Sequence, residues 1–128
     1  MSVKVKTAEE ALLGLAKSRL LALERALPLL MEDYAGHPEA RAILLKLKSA
    51  VRSALEELEG VGVPKSVKVP SIHEETALYD AALLAEDAAE YLLSTGMERH
   101  ARRLAELSKS LEELAYEVGE LGRGAAPL

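Results

Sequence analysis

The sequence contains no cysteine, tryptophan or phenylalanine, and it also lacks asparagine and glutamine. Without cysteine, disulfide scaffolds, thiol catalysis and zinc–thiolate sites are excluded. With only four tyrosines as aromatic residues, a platform for stacking single-stranded nucleic acid is also disfavoured. Amides and thiols degrade at high temperature, so their joint absence beside abundant glutamate is typical of a protein from a thermophile.

Acidic residues exceed basic ones, which gives a net charge of −5. Nucleic-acid phosphates and anionic membranes bind basic surfaces, so this balance argues against a general nucleic-acid or membrane role. The longest uncharged apolar runs reach about six residues, against the roughly 20 that a membrane-spanning helix needs. Glu9 and Glu10 interrupt the N-terminal stretch where a secretory signal would be apolar. We therefore expect a cytoplasmic protein without a membrane segment.

Apolar residues recur at helical spacing along most of the chain. In the first predicted helix they form a heptad seam of Leu13, Ala16, Leu20, Leu23, Leu27, Leu30 and Tyr34. Pro28 falls within this run and is expected to kink the helix. The spacing predicts helices over 7–35, 38–59, 71–94 and 97–120, with a tail that frays from Gly119 and is flexible over 121–128. The predicted fold is all-α, an antiparallel (up-down) four-helix bundle that residues 1–128 form as a single domain.

Local signals mark several predicted helix ends. Thr7 with Glu10, and Ser71 with Glu74, have the spacing of a capping box, in which each residue satisfies the other's backbone N–H. Gly96 either terminates the third helix or lies inside a third capping box, formed by Thr95 and Glu98.

A short internal repetition divides the chain into two halves. Ser-Val-Lys-Val occurs at 2–5, in a strand-like stretch over 2–6, and again at 66–69, and a predicted capping box follows each copy. Two duplicated helical hairpins would explain this pattern, although hairpins rich in Leu, Ala and Glu also resemble each other by composition. The extended crossover at 60–70 is long enough for the third helix to begin at either end of the bundle.

The third predicted helix is apolar around most of its circumference, and the fourth has the most regular heptads. A helix that is apolar around most of its circumference, like the third, is buried on more than one side, within its own fold or against another subunit. We expect a homo-oligomer, with a dimer as the simplest form. Binding to a different protein is the alternative. The candidate interface residues are Leu83, Leu84, Tyr91, Leu104 and Leu111.

Basic residues form a block without intervening acids on the second predicted helix, at Arg41, Lys46, Lys48 and Arg52. The third predicted helix has acids but no Lys or Arg. We expect these two helices to lie side by side. The acids of the third helix would then pair with the basic block and make it unavailable to nucleic acid.

The first turns of the fourth predicted helix hold the candidates for binding an anion or an acidic partner: Arg99, Arg102, Arg103 and His100. A helix N-terminus attracts anions, and arginines would add to that attraction. The alternative for the arginines is local pairing with Glu98 and Glu106.

Two carboxylate pairs have the three-residue spacing that places both members on one helix face, Glu56 with Glu59 and Asp87 with Glu90. Together they are candidate ligands for Mg²⁺, and a solvated acidic face is the alternative. In outline they resemble the all-helical nucleoside triphosphate pyrophosphatases of the MazG type, which carry Glu-x-x-Glu and then Glu-x-x-Asp on successive helices. The resemblance implies a Mg²⁺-dependent enzyme, but the second pair is reversed here and the first lies at a helix end.

No histidine has a glutamate three residues before it, so the ligand motif of di-iron bundles is absent. We expect no cofactor and assign no catalytic residue.

The segment from Tyr79 to Gly96, followed by His100, Leu104 and Leu107, is similar to one hairpin of HEPN-type bundles. This similarity covers about a quarter of the chain and implies a helical module that binds RNA or another anion. Ribonuclease members carry an arginine and a histidine separated by four to six residues, and no such pair occurs here, so nuclease activity is not implied. Generic helical-hairpin repeats share the same pattern.

From these features we expect a non-enzymatic, self-associating helical scaffold or adaptor. The alternatives are a pyrophosphatase-like Mg²⁺ enzyme and a HEPN-like or other helical module that binds RNA or anions.

Overall fold

Four helices account for most of the chain. The computed structural model describes residues 7–69 and 71–120, and these residues contain no strand. The helices are α1 (Ala8–Asp33), α2 (Pro38–Glu57), α3 (Ala77–Ser94) and α4 (Glu98–Glu117). The predicted all-α, four-helix fold is confirmed. The strand-like stretch at 2–6 and the predicted flexible tail at 121–128 lie outside the described residues.

α1 begins at the predicted capping box. The Glu10 N–H donates to the Thr7 hydroxyl, and the Glu10 carboxylate accepts from the Thr7 N–H, each at 3.1 Å. The helix then continues through Pro28, which lies on its exposed side, to Asp33.

α2 begins at His37, whose ring Nδ1 accepts a hydrogen bond from the Ala40 N–H at 3.1 Å. Pro38 occupies the first turn, where its missing N–H costs nothing. This position gives His37 a structural role as a helix cap.

The predicted start of the third helix is wrong by six residues. The box expected of Ser71 and Glu74 does not form, and α3 begins only at Ala77, after a single 3₁₀ turn at Glu74–Thr76. The Asp80 carboxylate holds this turn, because it accepts from the His73 N–H at 2.8 Å and the Thr76 hydroxyl at 3.2 Å. The local spacing therefore gave a false capping box, and the 64-residue correspondence between the two halves fails at this element.

Gly96 and Gly119 end α3 and α4, with φ of 85° and 89° in the left-handed region that favours glycine. Beyond Gly119, the Glu120 N–H donates to the Ala115 carbonyl at 2.9 Å, which closes the last turn of α4. Gly96 is thus a terminator and not part of a third capping box. The sequence predicts that the chain frays from Gly119. The structure corrects this prediction for Gly119 and Glu120, because the backbone N–H groups of both residues donate to the last turn of α4.

Neighbouring helices run antiparallel. α1 packs on α2 and α3, and α4 packs on the same two helices, so α2 and α3 occupy diagonal corners of the bundle. The expectation that these two helices lie side by side is therefore wrong.

The connection between α2 and α3 follows the outer side of α1. Gly62 and Pro64 lie against Gly14 near the start of α1, and Val69 lies beside Ala22 further along. The Lys17 ammonium anchors the beginning of this crossover by donating to the carbonyls of Leu58 and Val61, at 3.1 and 2.8 Å. α3 consequently starts at the end of the bundle opposite to the end of α2.

The core consists almost entirely of leucine and alanine. α3 contributes alanines on two sides, which lets both α1 and α4 approach it closely. This internal packing explains why α3 is apolar around most of its circumference. Three predicted interface residues, Leu84, Leu104 and Leu111, are at most 2% exposed. They have no surface left for a second subunit, and we correct them to core residues.

No helix among the described residues combines the length and hydropathy needed to cross a membrane.

Candidate functional site

The outward side of α2 carries a stripe of cations around an exposed leucine. Arg41, Leu45, Lys48 and Arg52 follow one another at steps of four, three and four residues, so they lie along one line of the helix. All four side chains are exposed, and Leu45 retains 50% of its accessible surface. We call these four residues the basic face.

α4 extends the positive surface beside the basic face. The Arg103 guanidinium donates to the Ser49 hydroxyl of α2 at 3.3 Å, which places this arginine next to the block on α2. Arg99 and Arg102 are exposed in the first turns of the same helix. Arg103 therefore brings one cation of α4 beside the basic face, although the two helices' cations are far apart in the sequence.

In the part of the chain that the structure describes, the only acid–base pair within 4 Å joins His100 Nε2 and Glu57 Oε1, at 3.9 Å. The expected local pairing of the arginines with Glu98 and Glu106 does not form within that distance. The cations of α2 and α4 thus remain available to a partner.

The N-terminus of α4 opens onto a polar groove of about 530 Å³ that includes His100 and Arg99. Three glutamates, Glu56, Glu57 and Glu98, line the same groove. Their negative charges oppose the helix dipole's attraction for an anion. This end of α4 is consequently a mixed-charge surface, with His100 directed toward a carboxylate.

The outward side of α3 has the opposite charge. Leu83, Glu86, Glu90 and Leu93 are spaced by three, four and three residues and form one exposed line. Leu83 is 43% exposed and Leu93 is 58% exposed. We call these four residues the acidic face. Because α2 and α3 are diagonal, the basic and acidic faces point away from opposite sides of the bundle.

The four predicted Mg²⁺ ligands do not form a site. Glu56 lies in the last turn of α2 and Glu59 follows that helix, whereas Asp87 and Glu90 belong to the diagonal helix α3. Nowhere in 7–69 and 71–120 do three acidic or histidine side chains gather closely enough to hold a metal ion. The carboxylates therefore do not fit the shared Mg²⁺ of a pyrophosphatase.

Tyr91, the remaining predicted interface residue besides Leu83, has an internal partner. Its half-buried ring lies under the Arg19 guanidinium of α1, whose carbon is 5.4 Å from the ring centre. This distance allows a cation–π interaction. Tyr91 therefore stabilises the packing of α3 on α1.

A groove of about 780 Å³ lies between α1 and the crossover, and sequence reasoning missed it. Ala26, Leu29 and Ile72 form part of its apolar lining, with Arg25 and Glu74 at its polar positions. The groove exists because the crossover packs along α1, and neither segment alone contains a signal for it.

At the end of the bundle where α1 and α4 finish and α3 starts, the Glu120 carboxylate joins the three helices. The sequence did not predict this contact. Glu120 accepts hydrogen bonds at 3.0 Å from the backbone N–H groups of Leu78 and Tyr79 and from the Tyr34 hydroxyl. Burial raises the pKa of Tyr34 to about 12, and the hydrogen bond and negative charge of Glu120 act in the same direction. Glu120 thus closes the start of α3 and has a structural role.

The chain matches no protein-family model, no curated protein and no solved structure.

Proposed function

We propose that this protein is a non-enzymatic helical scaffold or adaptor that associates with further copies of itself through the outer sides of its bundle. The observation that carries the proposal is the exposure of Leu45 on α2 and of Leu83 and Leu93 on α3. Cations predominate around Leu45, and Glu86 and Glu90 lie between Leu83 and Leu93. Burying a fully exposed leucine contributes roughly 1.5–3 kcal/mol, and about half of that surface is still exposed on each of these three leucines. Protein–protein contacts commonly have an apolar centre surrounded by a polar rim.

The roles of the inward-facing polar groups agree with this proposal. Lys17, His37, Asp80 and Glu120 all bond to backbone groups at helix ends. These hydrogen bonds give each of the four groups a structural role in holding a helix end or the start of the crossover. These groups therefore support the bundle as a rigid carrier of its outer surfaces.

Sedimentation velocity from micromolar to millimolar concentration tests self-association. The weight-average mass of the wild type is expected to rise with concentration. The double variant Leu83→Ser/Leu93→Ser should remain monomeric over the same range. Leu29→Ser is the control for loss of an exposed leucine outside the two faces. Leu29 is 66% exposed but lies with Arg25 and Asp33, which have opposite charges, and its replacement should leave association unchanged. A wild type that stays strictly monomeric at millimolar concentration would refute the proposal.

RNA binding is the second candidate function, and the contact of Arg103 with Ser49 favours it by joining the cations of α4 to those of α2. Cations grouped on one side of a protein are the usual footprint of phosphate binding. Fluorescence polarisation with labelled poly(U) provides the measurement. Binding should weaken steeply with added salt and with Arg99→Glu/Arg103→Glu, since released counterions drive the association. No binding at low salt would exclude this function.

A further inference from the structure

We infer that the basic face of α2 docks on the acidic face of α3 of a second copy, so that copies add head to tail. This inference rests on the proposed self-association and names the two surfaces that meet. It accounts for the presence of both faces on one molecule, because every copy offers one face of each sign.

The two faces are complementary in charge and in pattern. The basic face carries three cations around one leucine, and the acidic face carries two glutamates between two leucines. The underlying helices have 20 and 18 residues, which correspond to lengths of about 30 and 27 Å at 1.5 Å per residue. Laid along each other, the faces would bury leucine on both sides and place opposite charges next to one another.

Among the described residues neither face forms an ion pair within its own molecule, although Glu24 and Glu56 line the grooves beside Lys48 and Arg52. α2 and α3 are diagonal, and both neighbours of each helix pack on its inward sides. In the described ranges no acid lies within 4 Å of Arg41, Lys48 or Arg52, and no base lies that close to Glu86 or Glu90. The acidic face of another copy offers the negative charges with which the cations of the basic face can pair.

The geometry selects a head-to-tail contact over a two-fold one. A two-fold dimer would place α2 against α2 or α3 against α3, which opposes like charges. A dimer with two simultaneous α2–α3 contacts would need both faces on one side of the molecule, whereas they point in opposite directions. Each contact consequently leaves one free face of each sign, and growth continues beyond the dimer to a row or a ring.

The contact should be weak and sensitive to salt. A single pair of helix faces falls at the small end of protein interfaces, below about 1,200 Å² of total buried surface. Screening reduces the Debye length from about 10 Å at 0.1 M salt to about 3 Å at 1 M. We expect the apparent association constant to fall at least tenfold across this range.

Charge exchange between the faces tests the inference. Arg41→Glu/Lys48→Glu reverses the two charges that flank Leu45, and Glu86→Lys/Glu90→Lys reverses those between the leucines of α3. Sedimentation equilibrium of each double variant alone should show association weakened at least tenfold. An equimolar mixture of the two variants should associate again, because each then offers what the other lacks. The chain with all four substitutions keeps the net charge of −5 and should also recover association.

A matched control separates a local effect from a change in net charge. Glu32→Lys/Asp33→Lys alters the total charge as much as the α3 variant does, on exposed residues at the end of α1, and should associate like the wild type. Circular dichroism shows whether each variant retains its helices.

The possible outcomes distinguish this inference from the proposed function. Wild-type association that is indifferent to both charge reversals would overturn the docking mode while self-association stands. Loss in both variants without recovery in the mixture or in the fourfold variant would also overturn it. A strictly monomeric wild type would remove the proposed self-association and this inference together.

Discussion

The carboxylate of Glu120 accepts a hydrogen bond from the hydroxyl of Tyr34 at 3.0 Å, across 86 residues of sequence. The same carboxylate receives the N–H groups of Leu78 and Tyr79. One side chain therefore joins the end of α1, the start of α3 and the segment that follows α4. This arrangement replaces the capping residue that α3 lacks in its own sequence.

Replacing Glu120 should measure the strength of this cap. We expect Glu120→Ala to lower the free energy of unfolding by about 1–2 kcal/mol, because two backbone donors at the start of α3 lose their acceptor. Urea denaturation provides the measurement. Glu117→Ala, at an exposed position in the last turn of α4, is the control and should change stability by less than about 0.5 kcal/mol. Equal losses in both variants would contradict the capping role.

The raised pKa of Tyr34 predicts that the protein loses stability at alkaline pH. An unfolded tyrosine has a pKa near 10, whereas burial and Glu120 raise the pKa of Tyr34 to about 12. Below pH 10 both states hold the proton, and the stabilisation is fully present. Between pH 10 and 12 the unfolded chain releases the proton first, so the free energy of unfolding falls as pH rises.

Denaturation of Tyr34→Phe at several pH values tests this account. The variant should lose less stability than the wild type between pH 10 and 12, since it has no phenol to titrate at this position. Tyr116→Phe, at a ring that is 55% exposed, should follow the wild-type curve. Parallel curves for Tyr34→Phe and the wild type would show that this hydroxyl does not carry the effect.

Gly14 should resist substitution although it lies within α1. Alanine is favoured over glycine in a helix by about 1 kcal/mol. At this position, however, a Cβ would stand 2.7 Å from the Gly62 carbonyl oxygen, a backbone atom of the crossover. We expect Gly14→Ala to destabilise the protein by about 1–3 kcal/mol and to speed hydrogen exchange near Val61.

Gly36→Ala is the matched control for Gly14. No atom lies within 4 Å of a Cβ placed there, and the backbone is not in the left-handed region. This variant should be neutral or up to about 1 kcal/mol more stable. A stabilised Gly14→Ala protein would mean that the crossover does not pack tightly on α1.

Arg19 and Tyr91 should be energetically coupled. A double-mutant cycle of Arg19→Met and Tyr91→Leu is expected to give a coupling free energy of about 0.5–1 kcal/mol, as a partly exposed cation–π pair does. Arg19→Met alone should have a small effect, because it also removes the guanidinium Nε that is buried without a hydrogen-bond partner. Tyr91→Phe keeps the ring and should preserve the coupling to Arg19. A coupling free energy of zero would show that the cation–π interaction does not stabilise the protein, and that Arg19 and Tyr91 contribute by packing alone.

Local sequence predicted those features whose physical cause is local. The box of Thr7 and Glu10 formed because both partners belong to one helical turn. The leucine seams placed most core residues because a helix repeats its faces at a constant period. The start of α3 was misplaced because its cap, Glu120, comes from more than 40 residues away.

The candidate surfaces depended on information that periodicity does not contain. A heptad pattern identifies apolar positions but not the helix against which they pack, so Leu84, Leu104 and Leu111 were assigned to an interface although they fill the core. The outward leucines, such as Leu93, became recognisable only when the inner sides of α3 were covered by α1 and α4.

By itself, the sequence determined the helical class, three of the four helix starts to within one residue, and the composition of the core, since these follow from side-chain spacing and local capping. Only the tertiary structure decided the path of the crossover, because its extended chain could reach either end of the bundle. That path places α2 and α3 on diagonal corners. The basic and acidic faces therefore point outward on opposite sides of the bundle.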